Sequence, residues 1–425
     1  MYNIQKGESL LKLNYKRTFF IGLAFLSIQS FWQLYDNMIP LMLQNTFGLG
    51  ETITGGIMAI DNVLALLLLP LFGSFSDKVD TRFGKRTPFI VLGTIVSTIF
   101  MILIPIANEQ RNFVLFFLAL GVVLVSMGTY RSPAVALMPD LTPKPLRSKA
   151  NAVINLMGAV GGIITLILIR FLVPAEINPN YTTLFLSVAA IMVITVVVLV
   201  STIKEKKLSK EFNIQDDQED NKENGEAKDM PKDVRRSLQF LLASVFLWFF
   251  AYNAVTTAFS RYAVNVWGMI GGSFANALLV AMGAAIIAFI PIGHISSIIG
   301  RKKSIIIGII LMSLSYFAGF LFVDYHPMIN VVFAFTGIGW AAINVNSYPM
   351  VVEISKSSDI GKYTGLYYTF SMAAQILTPI ASGFLLENVS YRTLFPYSVI
   401  FSLLSLTTMM FVKHGDSKPP KKKIA

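Results

Sequence analysis

Twelve long apolar runs, most of them separated by only a few polar residues, decide what this chain can fold into. A helix that crosses a bilayer needs about 20 mostly apolar residues. Such runs lie near 17–43, 53–76, 87–107, 112–138, 149–173, 182–203, 237–264, 273–297, 303–323, 328–352, 362–386 and 392–412. They are continuous rather than alternating, which argues against a transmembrane β-barrel. The opening residues are polar and the first run is too long for a signal-peptide core, so no cleaved leader is expected. The expected fold is therefore an all-α integral membrane protein with twelve transmembrane helices. Composition agrees, with 54% of the 425 residues hydrophobic and 14% charged, where soluble domains carry about 25% charged residues. That balance argues against a soluble enzyme, a nucleic-acid binder and a disordered chain. The chain has no cysteine, and His294, His326 and His414 stand far apart. No disulfide, no metal site and no cofactor are expected.

The basic residues give the orientation. Thirty of the 35 lysines and arginines fall in the two termini and in alternate loops. The opposite loops hold Arg111 and Arg392, and Arg131, Arg170 and Arg261 fall inside the runs. The positive-inside rule then places both termini in the cytoplasm, in a multi-pass protein of the cell (inner) membrane. The net charge of +11 is thus a topology signal facing anionic lipid rather than nucleic acid.

Residues 204–236 carry nine basic and ten acidic side chains and little that is apolar. They read as a solvated cytoplasmic linker. The expected domains are a six-helix bundle over 1–203, this linker, and a second six-helix bundle over 237–425. The two halves also look alike. PLFGSFSDKVDTRFGKR follows the second run and PIGHISSIIGRKK the eighth, which aligns Gly73 with Gly293, Ser76 with Ser296, Asp77 with Ser297, and Lys85/Arg86 with Arg301/Lys302. Asp140 and Glu353 match at the ends of the fourth and tenth runs. Two such bundles related by a pseudo-two-fold axis are the pattern of a parallel-repeat transporter.

The loop GSFSDKVDTRFGKRTPFI (73–90) and the stretch YRSPAVALMPDLTPKPLRSKANAVINLMGAVGGI (130–162) resemble the major facilitator superfamily, and within it the sucrose/maltose–proton symporters and the related glycoside–cation symporters. The resemblance implies a transporter rather than an enzyme. Its expected activity is proton-coupled uptake of a neutral sugar, a disaccharide such as sucrose or maltose, by alternating access. The implied partners are that sugar, a proton and the bilayer, for a monomeric chain. It also implies that Asp77, Arg82, Lys85, Arg86, Asp140, Arg147 and Glu353 form a cytoplasmic gate. In that gate Asp77 accepts from the start of the eleventh helix near 360–363. One feature departs from the plant relatives, which carry an aspartate inside the fourth helix. Here no carboxylate lies between Asn112 and Met138, so a coupled proton must sit elsewhere.

Charge inside a membrane helix is costly and asks for a reason. Asp36 and Asp61 lie well inside the first and second runs, each about 12 Å from the outer surface at 1.5 Å per residue. Two carboxylates that meet at one depth on neighbouring helices would raise one pKa, which suits a site that loads and releases a proton. The alternative is that both merely bond Asn37, Asn62 or backbone groups. Arg131 is the deepest basic residue, a candidate for a coupling salt bridge or a static one. Arg170 and Arg261, near helix ends, read as snorkelling to the interface. Polar stripes at helical spacing supply candidate substrate contacts: Gln29, Gln33, Asn37, Asn62 and Asn155 in the first half, and Tyr252, Asn253, Thr256, Trp340, Asn344, Tyr368 and Gln375 in the second. Amides and hydroxyls match sugar hydroxyls as donors and acceptors, and the aromatic rings offer flat faces to a sugar's C–H face. The same residues also serve as interhelical glue. Three other activities stay open: a sodium-coupled glycoside symporter, an efflux pump for apolar cations, and a membrane-embedded glycosyltransferase.

Overall fold

The computed structural model describes residues 13–142, 146–176, 179–208, 231–354 and 360–416. Side chains of 147, 148, 360–362 and 364 lie outside that description, as does most of the expected linker. Twelve long helices account for nearly all of the described chain: α1 (Tyr15–Asn45), α2 (Glu51–Lys78), α3 (Thr87–Glu109), α4 (Phe113–Asp140), α5 (Arg147–Leu172), α6 (Thr182–Thr202), α7 (Lys232–Asn265), α8 (Ala275–Ile299), α9 (Arg301–Leu321), α10 (Ile329–Ile354), α11 (Ile360–Asn388) and α12 (Leu394–Met410). No strand occurs among the described residues. Eleven of the helices are long and apolar enough to cross a membrane. Only α1 falls short, because Gln29, Gln33, Asp36 and Asn37 interrupt its apolar run.

Local sequence sets the helix ends. Asn112 caps α4 by accepting from the Leu115 N–H at 3.0 Å, a role that short polar side chains fill well. Pro88 sits in the first turn of α3, where its missing N–H costs nothing. Small residues then set how closely helices pack. In α9 and α10, Gly308 and Gly339 face each other, and a Cβ on Gly308 would come 2.7 Å from the Gly339 carbonyl. The same device joins α3 to α4, where Gly93 lies against Tyr130 and the Ser126 carbonyl. Large apolar side chains such as Phe171 (79%), Ile287 (76%) and Ile290 (84%) stay on the outside. A soluble protein would not leave such surface bare, and a lipid-facing helix must.

The chain divides into two compact units. One takes the described residues of 1–34, 64–165 and 181–222, and the other those of 35–63, 166–180 and 223–425. In the first, α3 packs on α4 and α6. In the second, α8 packs on α10, α10 on α9, α9 on α12, α12 on α7 and α7 on α11. The unit boundaries fall inside α1, α2 and α5. The ends of those helices away from the basic loops therefore belong with the C-terminal helices.

Candidate functional site

At the basic end of the first unit, the guanidinium of one expected gate residue gathers two others. Arg86 precedes α3 and is 6% exposed. Its Nε donates to Asp140 Oδ2 at 2.8 Å, at the end of α4. Its Nη2 donates to Asp77 Oδ1 near the end of α2. Its Nη1 donates to the Ser76 hydroxyl, and that hydroxyl donates to the Gly73 carbonyl at 2.8 Å. The fixed fork of arginine suits such a convergence, where lysine would serve as a point charge only. Burial by itself lowers the Arg86 pKa, but the bonds to Asp140 and Asp77 more than reverse this, leaving it above the usual arginine value. Asp77 keeps a 62% exposed side chain, so solvent screens its share. The Arg82 guanidinium lies 4.8 Å from the Phe83 ring centroid. Lys85 contributes its backbone N–H, as described next, and the Arg147 side chain lies outside the described residues.

A residue that the sequence reading passes over fastens this loop. Glu205 follows α6 and is 3% exposed. Its carboxylate accepts from the N–H groups of Lys85 (2.6 Å), Arg86 (2.9 Å) and Thr87 (2.8 Å) and from the Thr87 hydroxyl (2.7 Å). An anion at the start of a helix satisfies donors that have no partner within the helix. Gly84, at φ +116°, is needed twice over: it adopts the left-handed region, and a Cβ there would come 2.3 Å from Glu205 Cδ. Lys206 pairs with Asp80 at 3.0 Å. The expected linker therefore begins with structured residues. Glu205 is one acid among ten in a mixed-charge stretch, so composition could not single it out.

The repeat could have done so. Asp416, after α12, accepts from the N–H groups of Arg301 (2.7 Å) and Lys302 (3.3 Å) at the start of α9. Gly300 before it has φ +95°. Ser296 donates to the Gly293 carbonyl at 3.0 Å, as Ser76 does to Gly73. Arg301 pairs with Glu353, as Arg86 pairs with Asp140. Charge order alone matched Arg86 to Lys302; the ion pairs show that Arg301 takes the part of Arg86. Lys302 Nζ instead donates to the Met410 carbonyl at 3.0 Å. Ser297, in place of Asp77, donates to the His294 carbonyl, so the two loops are not equivalent.

The mid-helix groups divide between the units. In the first unit, the Arg131 guanidinium lies 5.7 Å from the Trp32 ring centroid, a cation–π distance. Gln33 is half-buried, and Gln29 and Asn155 lie on the surface of the chain. In the second unit, Asp61 Oδ1 accepts from Asn62 Nδ2 at 2.7 Å, and Asn37 is fully buried. Asp36 and the buried Tyr35 are neighbours in α1 and fall in the same unit as Asp61. Tyr252 on α7 stacks flat on Trp340 of α10, with centroids 3.8 Å apart and planes 4° apart. Phe249 meets Trp340 edge-on at 5.3 Å. Asn253 is half-buried, and Asn344 and Tyr368 are exposed. Two stripe residues already bond their own helices: Thr256 donates to the Tyr252 carbonyl at 3.3 Å and Gln375 to the Ser371 carbonyl at 3.3 Å.

Arg261 does not snorkel. Its side chain is 3% exposed, as is that of Glu51, and its Nε donates to both Glu51 oxygens at 2.9 and 3.1 Å. A snorkelling guanidinium would reach water. This one instead reaches the first turn of α2, a partner 210 residues away that no spacing rule could pair with it.

Residues 20–417 match the family described as MFS/sugar transport protein. An uncharacterized MFS-type transporter of Methanocaldococcus jannaschii is 23% identical over 422 residues, which cover 96% of this chain and 98% of that one. The sucrose transport protein SUC3 of Arabidopsis thaliana is 26% identical over 181 residues, 38% of this chain and 30% of that one. Among solved structures, a POT family transporter in complex with 5-aminolevulinic acid superposes with a TM-score of 0.70 over 96% of this chain and 97% of that one, at 13% identity. Its likeness concerns the fold. The twelve helices, the repeated loop contacts and the family match across nearly the whole length lead to one conclusion: the chain belongs to the MFS/sugar transport protein family and is a multi-pass membrane transporter of the major facilitator fold, not an enzyme.

Proposed function

We propose that this transporter takes up a neutral sugar, a disaccharide such as sucrose or maltose, together with a proton. The observation that carries the sugar reading is the flat Tyr252–Trp340 stack on helices that also bear Asn253, Thr256 and Asn344. A sugar ring presents an apolar C–H face to such a platform and hydroxyls to amides. Gln29, Gln33, Asn37, Asn62, Asn155, Tyr368 and Gln375 complete the proposed set. The candidates are dominated by uncharged groups, which suits a neutral solute. The name of the Arabidopsis relative supports the substrate class. Asp36 and Asp61, which lie in one unit, are the proposed proton carriers, with Arg131 as a third coupling candidate. The Arg86–Asp77–Asp140 cluster and its Arg301–Glu353 counterpart are the proposed cytoplasmic gate.

Counterflow of radiolabelled sugars in proteoliposomes, with and without a pH gradient, tests this reading. Saturable sucrose or maltose counterflow is expected, with accumulation only when the outside is acidic. Accumulation driven by sodium alone would replace the proton, and exchange of an apolar cation without any sugar would replace the substrate.

The proposed orientation has its own test, helped by the lack of native cysteine. Single cysteines at Asn180, an exposed position before α6, and at Gly225, in the linker outside the described residues, are expected to differ. An impermeant maleimide on intact cells should label 180 and spare 225. The reverse pattern would invert the topology.

A further inference from the structure

At the helix ends away from the basic loops, the second unit holds a cavity of about 750 Å³. Three connections build its walls: the turn from α1 into α2 at Glu51, the end of α7 at Asn265, and the turn from α11 into α12 through Ser390, Tyr391 and Arg392. Gly55 of α2 and Gly383 of α11 let those helices touch, since a Cβ on either would strike the other's backbone. The Thr52 N–H donates to Glu387 Oε2 at 2.7 Å and ties the two rims together. The described lining includes none of the mid-helix candidates. Gln44 lies seven residues beyond Asn37, and Asn265 nine beyond Thr256. At 1.5 Å per residue those steps are roughly 10 and 14 Å along the helices.

Fixed charge on these walls cancels. Glu51 is matched by Arg261, and the exposed Glu387 carboxylate shares the lining with Arg392. What remains is hydrogen-bonding capacity of both kinds. Gln44 Nε2 and Arg392 Nε are donors with no partner in the protein. Asn265 gives its Nδ2 to the Arg261 carbonyl at 2.9 Å, which leaves its Oδ1 to accept. The Ser390 oxygen accepts from the Arg392 N–H at 3.2 Å, which leaves its proton to donate. A hydroxyl both donates and accepts, so a polyhydroxyl ligand can serve all four, whereas an anion or a cation would serve only one kind. An unpaired buried donor is costly, so turning the Gln44 amide onto a ligand hydroxyl favours binding. The half-buried Tyr391 ring adds a flat face for a sugar's C–H groups. The volume falls within the range of about 300–1,000 Å³ usual for small-molecule sites. We propose that this cavity is a second saccharide site, apart from the mid-helix set, that holds the same class of neutral sugar. The inference rests on the sugar reading given under the proposed function.

Asn45 lines the cavity and is exposed, and the chain has no cysteine of its own. The thiol of Asn45→Cys in the purified full-length transporter therefore reports occupancy. Sucrose or maltose should slow its alkylation by a maleimide. Equilibrium dialysis with the radiolabelled sugar should give two molecules bound per chain, and one after a bulky maleimide has filled the cavity. In the Asn45→Cys background, Gln44→Leu should keep counterflow at saturating sugar. It should raise the half-protecting concentration roughly three- to tenfold, the worth of one hydrogen bond. Trp340→Ala, which breaks the mid-helix platform, should lose counterflow and keep protection; Tyr252→Ala replaces it if that variant does not fold. Loss of protection in the platform variant would mean that the thiol senses mid-helix binding at a distance, and overturns the second site. One sugar per chain at the outset, or unchanged protection in Gln44→Leu, overturns it as well, as does protection by calcium ions and not by sugar. Counterflow without protection removes this site and leaves the proposed function standing. Protection without counterflow keeps the site and removes that function, and the absence of both removes the two together.

Discussion

Asp36→Asn is expected to abolish proton-driven accumulation while sugar–sugar exchange continues. The amide mimics the protonated carboxyl in shape but can neither load nor release a proton. With a gradient of one pH unit, a one-proton symporter concentrates its substrate up to about tenfold, since one unit is worth about 1.4 kcal/mol. In the variant the inside-to-outside ratio should fall to one. Retained exchange shows that the variant folds and binds. Asp61→Asn should match it if the two carboxylates share one proton. A milder loss is expected if Asp61, which already accepts from Asn62, only orients its neighbour. Full accumulation in both single variants and in the double variant would remove this pair from the mechanism and make Arg131 the next residue to test.

Glu205→Ala should unfold or seriously weaken the first half of the protein, in contrast with deletions a few residues later. The substitution strips four donors of a buried anionic partner: three backbone N–H groups and the Thr87 hydroxyl. Bonds to charged groups contribute about 1.5–3 kcal/mol each and do not add fully, so a loss on the order of 3 kcal/mol or more is expected. A lower melting temperature in detergent and reduced membrane abundance measure it. Glu205→Gln keeps the acceptor oxygen but turns an amide N–H₂ toward other donors, and should fall between alanine and wild type. Asp416→Ala removes two bonds and should cost less. Deleting part of 211–229 should leave transport largely intact, because that stretch is polar and mixed in charge. Equal tolerance of Glu205→Ala and of the deletion would show that the loop at 84–87 does not depend on this carboxylate.

Much of the molecule was legible without coordinates. The helices begin and end close to the apolar runs, because a bilayer span is set by length and hydropathy, which are local properties of the chain. The repeat was legible for a similar reason: Gly73 and Ser76 recur as Gly293 and Ser296, and both pairs make the same serine-to-carbonyl bond. The meeting of Arg86 with Asp77 and Asp140 was implied by the family resemblance, which joins these residues in one charge network at the helix ends. Charged pairs between distant segments were not legible. Arg261 had the spacing of a snorkelling residue, and only the packing of α2 against α7 and α11 shows that its head group faces Glu51. Glu205 had the composition of a solvated linker, and only the return of the chain to the start of α3 buries it. A partner's identity depends on which surfaces meet in space. Sequence periodicity fixes the face and depth of a side chain along its own helix, whereas the charge that will neutralise it is decided by tertiary contact, where the cost of leaving a buried charge unpaired selects the arrangement.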